Sequence, residues 1–116
     1  SYDLVIWGRG NHDGDRIAAD LQKLVPQTQT IWNGYPYRRY LFIVHATDNV
    51  GGATEHLNST VIQIPRYLFR PDDNYNRFLS TASHELIHSW NVKAYRPAGL
   101  VPYDYQRANL TDLLWV

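Results

Sequence analysis

The pattern of hydrophobic and polar positions predicts strands and helices that alternate along the chain. Short apolar runs between turn residues predict strands at residues 2–7, 41–44 and 58–65. The run at 41–44 is apolar on both faces, which is typical of a buried central strand. Residues 48–52, with the sequence DNVGG, are interpreted as a turn or an irregular loop.

The first helical pattern covers residues 13–25, where apolar side chains recur on one helix face. Either Asp13 or Asp15 is expected to cap its N-terminus. Pro26 is expected to kink or divide this helix before the pattern resumes towards residue 32.

The strongest helical pattern covers residues 70–92, and we expect its N-cap to be Asp72, Asp73 or Asn74. A further helix begins close to the C-terminus. The order of elements is then β-α-β-β-α-(α). This order predicts an α+β fold with a small mixed or antiparallel sheet.

Composition and charge limit the partners and the metal sites that the sequence suggests. The 116 residues are enough for one domain, and they carry 11 basic and 11 acidic side chains. This balanced charge gives no argument for a nucleic acid or an anionic membrane as a partner, and no apolar stretch is long enough to cross a bilayer. The absence of cysteine excludes disulfides and thiolate metal sites and leaves the cellular compartment undetermined.

The sequence SHELIHSW, within the strongest helical pattern, predicts a metal site. His84 and His88 are four residues apart, so both imidazoles lie on one helix face and can bind one zinc ion. Glu85 follows the first histidine and would be the general base that takes a proton from the attacking water. The alternative is a solvated helix face that happens to carry two histidines. The glutamate between them argues against this, because the chain has only two glutamates.

A catalytic zinc requires a third protein ligand and an open position for water. The metzincin class supplies a third histidine six residues after the second, and it is excluded because Ala94 stands there. A gluzincin supplies a later glutamate, and no glutamate follows Glu85 in this chain. Asp104 and Asp112 therefore remain as carboxylate candidates, although Asp112 has the simpler role of compensating a helix dipole.

The chain resembles the zinc peptidases of the glycyl aminopeptidase family, peptidase family M61, in the segments WGRGN, GGATEHLNST and SHELIHSWNVKAYRPAGLVPYDYQRANLTDLLWV. The resemblance covers nearly the whole chain and implies a partial thermolysin-like catalytic domain of the gluzincin class. It implies that the third zinc ligand is a glutamate shortly after Val116. Residues 1–116 would then be a fragment of a single zinc-peptidase catalytic domain, truncated before that ligand. Residues 58–64 would form an edge strand packed beside the helix that carries both histidines.

The segment GATEH, residues 52–56, resembles the Gly-x-Met-Glu-Asn motif of related aminopeptidases, with Thr54 and His56 in place of the Met and the Asn. In those enzymes the glutamate binds the free α-amino group of the substrate, which implies the same role for Glu55. A carboxylate at the closed end of a cleft pairs with an ammonium group and excludes longer N-terminal extensions. The simpler interpretation of Glu55 is a loop carboxylate before the edge strand.

We therefore expect part of a zinc aminopeptidase that removes N-terminal residues of the Gly or Ala type from peptides. His84 and His88 would bind the metal, Glu85 would activate water and Glu55 would bind the substrate. The fragment itself is expected to be inactive because it lacks one ligand. The alternatives are a non-catalytic peptide-binding or interaction module and a zinc endopeptidase. Apolar surface around residues 113–115, left by the truncation, would favour self-association.

Overall fold

The fold was obtained as a computed structural model that describes residues 1–29 and 34–90. Its elements are the strands Tyr2–Trp7 (β1), Tyr40–Thr47 (β2), Gly52–Glu55 (β3) and Ser59–Pro65 (β4), and the helices Gly14–Gln29 (α1) and Asp72–His88 (α2). The helix predicted close to the C-terminus lies outside the described residues, as do Asp104 and Asp112. Neither described helix is long and apolar enough to cross a membrane.

The strands form one mixed sheet in the spatial order β1-β2-β4-β3. β1, β2 and β4 are parallel, and β3 is antiparallel to β4. The predicted α+β fold with a small mixed sheet is confirmed. β2 is also the predicted central strand, because it pairs on both sides and buries alternate residues, namely Tyr40, Phe42, Val44 and Ala46.

One prediction about the sheet is wrong, namely that residues 58–64 form its edge strand, and one strand was not predicted. The turn or loop predicted at residues 48–52 ends at residue 51, and strand β3 begins at Gly52 and includes Glu55. This strand is too short to show a period of two in the sequence, and it forms because it pairs with β4, with Ala53 opposite Ile62. The strand predicted at residues 58–65 consequently lies inside the sheet, between β2 and β3, and β3 is the edge strand.

α1 begins as predicted. The Asp13 side chain accepts a hydrogen bond from the backbone N–H of Arg16 at 3.2 Å, which is the contact of an N-cap residue. Asp15 instead lies in the first turn, where its charge favours the helix dipole. Pro26 lies inside a single helix that continues to Gln29, so the predicted division does not occur.

α2 begins differently from the prediction. Its N-cap position is Pro71, and no side chain caps it. Asp72 and Asp73 lie in the first turn and compensate the helix dipole, while the Asn74 side chain donates to the carbonyl of Arg70 at 3.2 Å. The predicted side-chain cap from residues 72–74 is therefore wrong.

Both helices cover one face of the sheet. α1 contacts β1, α2 contacts β3 and β4, and the two helices contact each other. The core between them and the sheet is built from buried aromatic and aliphatic side chains that include Ile17, Leu21, Phe42, Val44, Ile62, Phe78, Ala82 and Leu86. Beyond α2, the buried Trp90 donates its indole N–H to the Gly34 carbonyl at 2.9 Å. This bond holds the chain directly after α2.

A close backbone contact joins the loop after β1 to the segment between β4 and α2. A Cβ added at Gly10 would lie 2.0 Å from the carbonyl oxygen of Arg66, which also accepts the Asn11 N–H at 3.1 Å. The Asn11 side chain donates to the Tyr67 carbonyl at 2.6 Å and accepts the Phe69 N–H at 3.2 Å. These bonds fix the segment that leads into α2.

We expect Gly10→Ala to lower the free energy of unfolding by about 1–3 kcal/mol, because the added methyl group displaces the Arg66 carbonyl. Gly51→Ala is the matched control, since a Cβ there meets no described atom within 4 Å. Urea unfolding followed by tryptophan fluorescence measures both variants. Equal stability of the two variants would contradict the close contact at Gly10.

Candidate metal centre

Two imidazoles meet on the last turn of α2. The Nε2 atoms of His84 and His88 are 3.0 Å apart, and the two rings are nearly perpendicular at 88°. At this distance one ring donates to the other, or both lone pairs bind one cation. Nitrogen ligands at about 2.0–2.1 Å from a tetrahedral zinc ion are roughly 3.4 Å apart, so a small separation of the rings fits this ion.

Glu85 lies between the two histidines in the sequence, and its side chain faces inward. Its side chain is only 7% exposed, and burial raises the pKa of its carboxyl group. The charges of His84 and His88 oppose this rise, and the negative charge of Glu55 adds to it. A carboxylate whose proton affinity is raised is better suited to accept a proton from water.

Glu55 reaches the same place from the edge of the sheet. It is the last residue of β3, and the ligand atoms of Glu55, Glu85 and His88 all lie within 4.8 Å of one another. The interpretation of Glu55 as a loop carboxylate is therefore wrong. Antiparallel pairing of β3 with β4 brings this residue to α2, although it lies far from α2 in the sequence.

A groove of ≈ 270 Å³ extends from Glu85 along α2. Arg77, Thr81 and Glu85 line it from the helix, and Gly52 and Ala53 line it from β3. The groove therefore runs between the edge strand and the histidine-bearing helix and reaches the site at Glu85.

Residues 77–116 match the sequence profile of the family described as M61 glycyl aminopeptidase. The chain is also similar to the crystal structure of an aminopeptidase N family protein from Idiomarina loihiensis, at 35% sequence identity and a TM-score of 0.85. Both matches support an M61-type peptidase segment. The structural match covers 97% of this chain and 20% of the Idiomarina loihiensis chain, so this chain spans about a fifth of that protein. No curated protein sequence matches it.

The described residues offer two candidate sets of metal ligands that share His88. One set is the pair of imidazoles, and the other combines Glu55, Glu85 and His88 without His84. Imidazole nitrogens suit zinc, whereas carboxylate oxygens suit harder cations such as magnesium or manganese. The identity of the ion and the role of His84 thus distinguish the two sets.

Two residues of the site carry no signal in the sequence. Thr60 is fully buried, and its hydroxyl donates to the Thr54 carbonyl at 3.0 Å, directly before Glu55 on β3. Tyr40, the first residue of β2, is also fully buried, and burial raises the pKa of its hydroxyl to about 12. The charges of Glu85 and Glu55 add to that rise. In the sequence, both residues are typical of strands. Their proximity to Glu55 becomes evident only from the pairing of β3 with β4 and of β4 with β2.

The raised pKa of Glu85 predicts a pH-dependent effect of Glu85→Gln on stability in chelator-treated protein. The pKa of Glu85 is higher in the folded protein than in the unfolded chain. Its protonated form therefore favours the folded protein, and this contribution is lost as pH rises through the folded-state pKa. Glutamine does not titrate, so Glu85→Gln does not lose this contribution as pH rises. We therefore expect the free energy of unfolding of Glu85→Gln minus that of wild type to increase from about pH 4 towards neutral pH.

Urea unfolding at a series of pH values measures this difference. Asn76→Ala is the matched control, because it changes an exposed side chain of the same helix and removes no titrating group. A Glu85→Gln difference that does not change with pH would contradict the burial of a titrating carboxyl group.

Proposed function

We propose that this chain supplies part of the active site of a zinc-dependent aminopeptidase. The observation that carries the proposal is the approach of two imidazole nitrogens to 3.0 Å beside a buried carboxylate, within an M61-type segment. His84 and His88 would hold the ion through Nε2. The third protein ligand would be a glutamate after Val116, as the family resemblance implies. The chain by itself would then be inactive.

When bound, zinc supplies the positive charge that polarises the scissile carbonyl and makes water more acidic. Glu85 would take a proton from the attacking water on one carboxylate oxygen and deliver it to the departing amine. Its burial supports this role, because desolvation raises the affinity of the carboxylate for that proton.

Glu55 would bind the free α-amino group of the substrate. Its position within 4.8 Å of Glu85 and His88 supports this role, because an ammonium group held there leaves the first peptide bond close to Glu85. The outer edge of β3 would add the substrate as an extended strand. The preference for N-terminal Gly or Ala is what the family resemblance implies.

We expect His84→Ala and His88→Ala to lose zinc, because each removes one of two nitrogen ligands. Glu55→Gln should retain zinc. Glu85→Gln should retain zinc and lower kcat by about 10²–10⁴-fold, the usual contribution of a general base. Metal analysis of the purified full-length protein and hydrolysis of glycyl-p-nitroanilide measure these effects.

His45→Ala is the matched histidine control, because His45 packs against Trp7 on β1 and belongs to neither set of ligands. It should keep both zinc and activity. Loss of zinc in Glu55→Gln, with retention in His84→Ala, would instead assign the ion to Glu55, Glu85 and His88.

The amine-binding role of Glu55 predicts selectivity for free N-termini. Wild-type protein should cleave glycyl peptides and leave their N-acetylated forms intact. Glu55→Gln should lower kcat/KM for the free peptides by about 10²-fold, since a charge-assisted contact is lost in a partly buried site. Peptide hydrolysis followed by mass spectrometry measures both.

The opposite pattern would indicate an endopeptidase. The wild type would then cleave N-acetylated peptides, and Glu55→Gln would not change the ratio of activity on free and N-acetylated peptides. This result would contradict the binding of the substrate amino group by Glu55. A protein that binds glycyl peptides, retains zinc and cleaves none of them would correspond to the non-catalytic peptide-binding module.

A further inference from the structure

Polar side chains of α2 line the groove that begins at Glu85, and the charges at its two ends are opposite. Arg77, Thr81 and Glu85 follow one another at intervals of four residues, so they form one stripe of α2. Glu85 and the neighbouring Glu55 make one end acidic. Arg77 makes the other end basic.

The guanidinium group of Arg77 is available at its end of the groove. The side chain is exposed, and across residues 1–29 and 34–90 no carboxylate lies within 4.0 Å of it in an ion pair. The Thr81 hydroxyl donates to the backbone carbonyl of Arg77 at 3.0 Å, so this bond does not involve the guanidinium group. The amide side chain of Asn74 lines the same end, so a ligand there meets hydrogen-bonding groups and no acidic group of the lining.

The direction of the edge strand orients a peptide in this groove. β3 begins at Gly52 and Ala53, which line the groove, and ends at Glu55 beside Glu85. A peptide whose amino group is bound at Glu55 therefore extends its C-terminal residues back along β3, towards Arg77. In this orientation an added strand is antiparallel to β3, an arrangement that an exposed sheet edge accepts.

The length of the groove sets the length of the peptide. Arg77 and Glu85 are eight residues apart, which corresponds to a rise of about 12 Å along the helix. An extended strand advances about 3.4 Å per residue. A chain with its cleaved bond at Glu85 would therefore bring its third or fourth following residue to Arg77.

We propose that Arg77 recognises a substrate carboxylate three or four residues beyond the cleaved bond, and that the preferred substrates are short oligopeptides of four or five residues. This inference rests on the proposed aminopeptidase function and assigns a substrate class to it. The carboxylate is the free C-terminus of the peptide. An acidic side chain at the same distance has the same chemistry and is separated from it by the experiment.

The test compares kcat/KM of the full-length protein for glycyl-trialanine as the free acid and as the C-terminal amide. We expect the free acid to be preferred about fivefold, the size of one partly exposed ionic contact. Arg77→Ala should bring this ratio close to one, and Arg77→Glu should invert it. Arg9→Ala is the matched control, because Arg9 is exposed in the loop after β1 and does not line the groove.

A third peptide, which is a C-terminal amide with glutamate as its last residue, distinguishes a C-terminal carboxylate from a side-chain carboxylate. Cleavage of this amide at the rate of the plain amide supports recognition of the C-terminus. Cleavage at the rate of the free acid, with dependence on Arg77, supports carboxylate recognition and assigns it to side chains as well. A wild-type ratio of one, or a preference that persists in Arg77→Ala, overturns the inference. If the protein cleaves none of the peptides, the proposed aminopeptidase function is overturned, and this inference, which rests on it, is overturned as well.

Discussion

The packing of α2 against β3 and β4 is the contact on which the rest of the site depends. Phe78, Ala82 and Leu86 are buried in the core, so the rotation of the helix about its own axis is fixed. That rotation turns Glu85 inward beside the end of β3 and leaves His84 on the exposed side of the same turn. The apolar stripe of α2 thereby determines where its polar residues act.

This packing also concentrates negative charge in a poorly solvated place. Glu85 is nearly buried, and a carboxylate oxygen of Glu55 lies within 4.8 Å of its ligand atom. Two carboxylates this close disfavour simultaneous ionisation, and burial strengthens the effect. A cation at the histidines and an ammonium group at Glu55 would each relieve the repulsion. The site is therefore electrostatically suited to bind a metal ion and a substrate amine together.

The sequence predicts the parts of this site that lie within one element. The spacing of His84, Glu85 and His88 on a single helix determines their proximity, and the apolar run of β2 identifies the central strand. Glu55 could be singled out by its resemblance to an aminopeptidase motif, yet its distance from α2 could not be derived. That distance depends on the pairing of β3, a strand whose formation requires β4 as a partner.

The groove shows the same limit. The four-residue spacing of Arg77, Thr81 and Glu85 is visible in the sequence, and it predicts a stripe on one side of a helix. Which side opens onto the edge strand depends on tertiary packing, and so does the position of the β3 backbone as the opposite wall. Periodicity within α2 can be seen in its own sequence. The contact between α2 and β3 depends on the packing of segments that are distant in the sequence.

The most direct test of the account is anomalous diffraction at the zinc edge from crystals of the zinc-loaded full-length protein. The account predicts one anomalous peak at about 2.0–2.1 Å from Nε2 of both His84 and His88, with the Glu85 carboxylate outside the ligand shell. A peak coordinated by Glu55, Glu85 and His88, with His84 unbound, would contradict the central claim that the two histidines share the catalytic ion.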